Sequence, residues 1–200
     1  MKKALLGSLI FLAFAANAAD PNVNPESTSK VTFKGKVLAN TCKLETESQN
    51  MTVTLPDVGK NALDQKGRVA GPKPFQIKLK ECGANSATPA ATVVRARFYH
   101  IPAAGMSTTI VDATNDFTLT NTKTTNKAQN VNIQLFEKDG STPIKIVTTG
   151  STETTPTTIY KETINGGNNI ILHYVAKYYA TGVATAGEVE ASTNFEVVYD

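Results

Sequence analysis

The chain has 200 residues, 40% of them hydrophobic, with no tryptophan, two cysteines and a formal net charge of +3. That length holds one domain with a proper core, and its lysines and arginines are scattered rather than clustered, which excludes a dedicated nucleic-acid surface. No stretch is apolar for the ~20 residues a membrane-crossing helix needs.

Met1-Lys2-Lys3, a run of apolar and small residues over 4–16, and the close Ala16-Asn17-Ala18 have the form of a secretory signal peptide over residues 1–18, cut before Ala19. Its removal takes Lys2 and Lys3 and no acid, so the charge drops to +1 over the remaining 182 residues. In an exported chain Cys42 and Cys82 read as one disulfide. The spacing is wrong for C-x-x-C, and neither His100 nor His173 is near in sequence, which argues against a redox or metal pair. Closing a loop of that length stabilises by about 4 kcal/mol on the chain-entropy argument.

Residues 19–30 are small and polar with Pro21 and Pro25 and read as an unstructured lead-in. Over 31–40, Val31, Phe33, Gly35, Val37 and Ala39 fall on one face and Thr32, Lys34, Lys36 and Asn40 on the other, with Leu38 the exception. This is a strand pattern whose apolar row carries a glycine, the mark of a bulge or of another group's close approach. Short strands are expected at 51–55, at 75–80 before Cys82, at 94–99 and at 131–135. Lys138-Asp139-Gly140 predicts a hairpin into 144–147. The longest apolar run, 170–179, reads as a central strand, while 64–70 holds a turn of helix at most. Two threonine-rich stretches, 107–129 and 148–167, read as exposed loops or edge strands. Over 187–200 the alternation returns: Val189, Ala191, Thr193, Phe195, Val197 and Tyr199 against Glu188, Glu190, Ser192, Asn194, Glu196 and Val198. Taken alone, this last strand completes a core. The whole is one all-β domain, a sandwich.

Residue types able to catalyse are present, but not in a catalytic arrangement. His100 and His173 fit no triad or metal spacing, and there is no G-x-S-x-G, H-E-x-x-H or P-loop. Glu188, Glu190 and Glu196 share one strand face, as solvated carboxylates do. Gly166-Gly167 lies among Asn165, Asn168 and Asn169, a turn before it is a phosphate cradle. No catalytic residue, metal or cofactor is expected.

Phe33-x-Gly35-x-Val37 just ahead of a cysteine, the Cys42 and Cys82 pair, Gly187 fourteenth from the end and a penultimate Tyr199 together resemble the pilin subunits of the chaperone–usher pathway. Asn130-Val-Asn-Ile-Gln-Leu135 ahead of an Asp-Gly turn, and Ala176-Lys-Tyr-Tyr-Ala-Thr-Gly182 ahead of Ala186-Gly187, match the same pattern. The stretches 2–10, 57–61, 178–181 and 184–187 are most similar to the major subunits of the haemagglutinating pili of Haemophilus-type bacteria.

The resemblance implies an immunoglobulin-like sandwich lacking its seventh strand, with an N-terminal extension over 19–41 and the pilin domain over 42–200. It implies donor-strand residues at Val31, Phe33, Gly35, Val37 and Ala39, with Phe33 entering the pocket where exchange starts. Gly187, Phe195, Val197 and Tyr199 become the groove edge that a chaperone recognises. The implied partners are a periplasmic chaperone, an outer-membrane usher and neighbouring copies of the subunit, with room for a host-cell receptor met through the assembled fibre. The expected role is a structural subunit, exported through the periplasm and polymerised by donor-strand exchange into an adhesive surface fimbrium. A minor adaptor or tip-proximal subunit is the alternative. A tip adhesin is disfavoured by the arm and the short length, and a secreted sandwich enzyme or inhibitor by the missing chemistry.

Overall fold

The computed structural model describes residues 31–38, 41–83, 91–101, 110–148, 158–165 and 168–199. The chain divides into two units, Met1–Lys36 and Val37–Asp200. In the first, residues 31–36 are exposed and form no helix or strand. The second holds all the secondary structure among the described residues: β1 (Lys43–Leu44), β2 (Val69–Cys82), β3 (Val93–His100), β4 (Val111–Asp112), β5 (Thr118–Thr120), β6 (Val131–Phe136), β7 (Val147–Thr148), β8 (Glu162–Thr163), β9 (Asn168–Ala180) and β10 (Asn194–Tyr199). Two short 3-10 turns, Thr46–Ser48 and Lys60–Leu63, are the helical content of the described residues.

Six strands form an antiparallel sheet in the order β1-β2-β9-β6-β5-β4. The second sheet runs β10-β3-β7, with β8 also on β3; β10 is antiparallel and β7 parallel to β3. The core lies between them, where Ile77, Leu79 and Leu172 of the first sheet meet Val94, Ala96 and Phe98 of the second. Phe98 and Tyr174 stack edge to face across it, centroids 5.0 Å apart, a geometry that adds to plain area burial. Cys42 and Cys82 are disulfide-bonded, which ties the entrance of β1 to the end of β2.

The expected strands at 75–80, 94–99 and 131–135 lie in β2, β3 and β6. The long run 170–179 becomes β9, central between β2 and β6, with one face buried and the other half-open, since Ile171 remains 40% exposed. Four expectations change. The hairpin at 138–140 starts, with Gly140 N–H donating to the Glu137 carbonyl and Ile144 N–H to Leu135. Its second arm then leaves the ladder: Ile144 and Ile146 bury fully in the core and β7 joins the other sheet. The helical turn falls at Lys60–Leu63 rather than at 64–70. Residues 51–55 keep their alternation, with Met51, Val53 and Leu55 half-buried and Thr52 and Thr54 exposed, but belong to no ladder. The alternation at 31–38 is likewise unpaired.

Candidate functional site

The stretch 187–199 does not run as one strand. Its first part leans on the loop 121–128 beside the six-stranded sheet. Thr122 N–H donates to the Glu190 carbonyl (2.8 Å), Ala128 N–H to that of Glu188 (3.0 Å), and Glu188 N–H to that of Asn126 (2.6 Å). The buried Asn121 amide clamps the same place: its Nδ2 donates to the Ala128 and Glu188 carbonyls, and its Oδ1 accepts from the Glu190 and Lys123 N–H groups. Sequence reasoning missed Asn121, because a lone asparagine in a threonine-rich stretch carries no mark that all its bonds are made. Above the clamp, the Lys123 ammonium lies 3.1 Å from Glu188 and 3.2 Å from Glu190. Hydrogen bonds to Glu188 and Glu190, in that order, raise its pKa.

Gly187 has a steric reason. A Cβ built on it would lie 2.5 Å from the Asn126 carbonyl oxygen and closer still to the Ala128 nitrogen, at a φ of +154°. Backbone meets backbone here, and only a residue without a side chain allows it.

From Asn194 the chain crosses to β3, pairing residue for residue from Asn194↔Tyr99 to Tyr199↔Val94. On the far side of β3 the Ala96 N–H donates to the Tyr174 hydroxyl (3.2 Å) and its carbonyl accepts from the Thr158 hydroxyl (2.6 Å). Both Ala96 backbone groups therefore point away from β10, which makes Ala96↔Val197 a non-hydrogen-bonded pair. The backbone groups of Phe195, Val197 and Tyr199 consequently face outward. Earlier in the stretch, Glu188 and Glu190 turn theirs toward 121–128, and by alternation those of Val189, Ala191 and Thr193 turn the other way. None of these three makes a backbone hydrogen bond to a described residue.

What they turn toward is a groove of about 1040 Å³. Its second rim is the unladdered stretch 51–58, whose backbone groups also make no hydrogen bond to a described residue. The floor is apolar, with Phe75, Leu119, Ile133, Leu135, Ala176 and Tyr178 among its residues. Two rims whose N–H and C=O groups are unpaired among the described residues, over an apolar floor, form a slot for an extended chain that supplies both alternating side chains and a backbone edge. Polar groups otherwise left unpaired make that slot costly to keep dry and empty. The signal for the second rim was the alternation at 51–55, and its missing partner could be seen only in three dimensions.

Of the residues expected to form this edge, Gly187 lines the groove, and the lining ends at Thr193. Phe195, Val197 and Tyr199 sit beyond it in β10, half-buried against the core. Phe195 lies 6.3 Å from Phe98, centroid to centroid. The Tyr199 hydroxyl accepts from the Cys42 N–H (2.8 Å) and donates to the Cys42 carbonyl (3.3 Å), and burial raises its pKa. The penultimate tyrosine is thus fastened inside its own subunit, beside the disulfide. Val31, Phe33 and Val37 are 72%, 91% and 91% exposed, and a Cβ on Gly35 would meet no atom within 4 Å. Ala39 lies outside the described residues. Among the described residues no group of three or more His, Cys, Asp and Glu side chains is placed to hold a metal ion.

The family model described as fimbrial protein matches residues 31–200. A major fimbrial subunit of Haemophilus influenzae is 49% identical across the full length of both chains. The minor fimbrial subunit HifD of the same organism is 38% identical over 86% of this chain and 74% of its own. A solved chain of a chaperone–usher pilus superposes with a TM-score of 0.56 at 20% identity, covering 89% of this chain and 99% of that one. The fold is therefore an immunoglobulin-like sandwich lacking a strand. The chain belongs to the fimbrial protein family.

Proposed function

We propose that this chain is the structural subunit of a cell-surface fimbrium, polymerising when the arm of one copy completes the sandwich of the next. One observation carries the reading: the chain has a groove whose two rims carry backbone groups that make no hydrogen bond to a described residue, and its residues 31–37 are an exposed apolar alternation that belongs to no strand ladder. Under this reading residues 1–18 direct export, 19–41 form the donated arm and 42–200 the accepting domain. Val31, Phe33, Gly35, Val37 and Ala39 face the neighbour's floor, and Phe33 enters first.

Burying Phe33, Val31 and Val37 at ~1.5–3 kcal/mol each supplies roughly 5–9 kcal/mol gross. Backbone hydrogen bonds to the rims add ~1 kcal/mol net apiece. An open edge of this kind aggregates unless covered, which explains a periplasmic chaperone that lends a strand and an outer-membrane usher where arms replace it. Gly187, Phe195, Val197 and Tyr199 mark the edge such a chaperone follows. The role is structural rather than catalytic, and any host-cell receptor is met through the fibre. The 49% identity and complete coverage shared with a major subunit, against 38% and partial coverage for HifD, favour the bulk fibre subunit over a minor adaptor.

Deleting residues 19–40 tests this. The remaining domain is expected to co-purify with the chaperone and to stop donating to neighbours. Fibres that still elongate from the deleted chain would overturn the reading.

A further inference from the structure

We infer that the arm of one copy sets its register on the next by placing Gly35 opposite Val189, so that Lys34 and Lys36 lie beside Glu188 and Glu190. The inference rests on the strand-exchange reading above and adds the residues that choose the register.

Side-chain size supports it. Along the rim the groove-facing residues run small, large, small at Gly187, Val189 and Ala191, and Val189 packs against both hydrophobic clusters of the domain. Along the arm the apolar row runs large, small, large at Phe33, Gly35 and Val37. Residues directly opposite on paired strands have their Cβ atoms ~4.5–5.5 Å apart. With Gly35 opposite Val189, each bulky group faces a small one whichever way the arm runs. A shift of two residues toward the C-terminus sets Phe33 or Val37 against Val189, and a shift the other way does the same.

Charge supports it independently. Lys34 and Lys36 are the arm's ionised groups among 31–38, two residues apart and on its polar face. Glu188 and Glu190 are also two apart, are exposed on the rim's polar face, and share the single ammonium of Lys123, which leaves one carboxylate charge in excess. The centred register brings both lysines beside both glutamates. Either shifted register leaves one lysine beside an uncharged residue, Ser192 or Ala186. The second rim offers one acid over 51–58, Asp57, beyond Pro56. Lys123, the two glutamates and the arm's lysines then form a band of alternating charge across three extended segments.

The test uses the full chain assembled by its own export partners, with subunit loss from purified fibres timed in urea at low and high salt. K34E/K36E is expected to lose subunits about tenfold faster at low salt, the scale of two cross-strand pairs turned from attraction to repulsion, and the gap should narrow near 1 M salt. Combining it with K123E/E188K/E190K, which mirrors the whole band, should restore most of the difference. K34E/K36E fibres as durable as the parent's, or a combined variant no better than the arm change alone, overturn the register. A second pair keeps the test decisive if the rim triple fails to fold: Gly35→Val should block assembly and Val189→Ala should recover it, and no recovery counts against the register. Phe33→Asp separates the two layers. Parent-like K34E/K36E fibres together with none from Phe33→Asp sink the register alone, whereas fibres from Phe33→Asp sink the exchange itself.

Discussion

The arm at 31–38 and the stretch at 187–199 carry the same sequence pattern, an apolar row at period two with a glycine in or at its start, and they differ in every contact. Glu188 and Glu190 are tied into the loop at 121–128, and β10 is paired along its length with β3. Arm residues 31–36 are exposed and form no ladder. The glycines state the difference most sharply: Gly187 has no room for a methyl group, whereas a Cβ on Gly35 would meet no atom within 4 Å. A glycine required by the backbone packed against it and one with no such steric demand look identical in sequence.

The two glycines provide the largest contrast. Gly187→Ala forces a methyl against backbone that cannot move cheaply, at a cost on the order of 3 kcal/mol; the chaperone-bound subunit should fall steeply in periplasmic yield and become protease-sensitive. Gly35→Ala should leave that yield and resistance unchanged. A protease-sensitive Gly35→Ala subunit would show that the arm has a role in its own fold and would break the comparison.

The phenylalanines come next. Phe195→Ala removes a half-buried ring and should cost about 2 kcal/mol, below the 3–5 of a fully buried one, read as earlier thermal release from the chaperone complex. Phe33→Ala should leave that melting alone and reduce fibre length instead.

Tyr199→Phe keeps the ring and loses both bonds to the Cys42 backbone, an effect of about 1 kcal/mol visible as a lower fibre melting temperature. No change would mean that water replaces the hydroxyl without loss.

Lys123→Ala should have the smallest effect, confined to low salt because the ammonium and its glutamates are exposed. Its raised pKa fixes the sign of the pH dependence. The contribution is complete below the ordinary lysine pKa and disappears as pH rises through the folded value. A melting series from pH 7 to 11 should therefore separate parent and variant at neutral pH and bring them together in alkali.

How far these differences were legible in sequence varies with their physical origin. β3, β6 and β9 could be read because side-chain alternation and burial are local consequences of strand geometry. The disulfide followed from two cysteines in an exported chain. The hairpin at 138–140 was half legible: its turn chemistry is local, whereas the departure of Ile144 and Ile146 into the core depends on a cavity that distant strands create. Asn121 and Lys123 gave no readable signal of their role, since both act on Glu188 and Glu190, more than sixty positions away, and the alternation at 51–55 announced a strand without showing which edge it would rim.

The sequence by itself determined the all-β class, the paired cysteines and the two alternating stretches, because all of these are written in composition, spacing and period. Only the tertiary structure decided which alternation is satisfied at home. It showed that Gly187 meets the backbone of 126–128, that Tyr199 is held at Cys42, and that the outward edge from Val189 to Thr193 faces, across an apolar floor, a second rim unpaired among the described residues. Period-two patterning records that a strand wants a neighbour. Whether that neighbour lies in the same chain depends on which backbone groups remain unpaired once the two sheets have closed, and no local pattern contains that count.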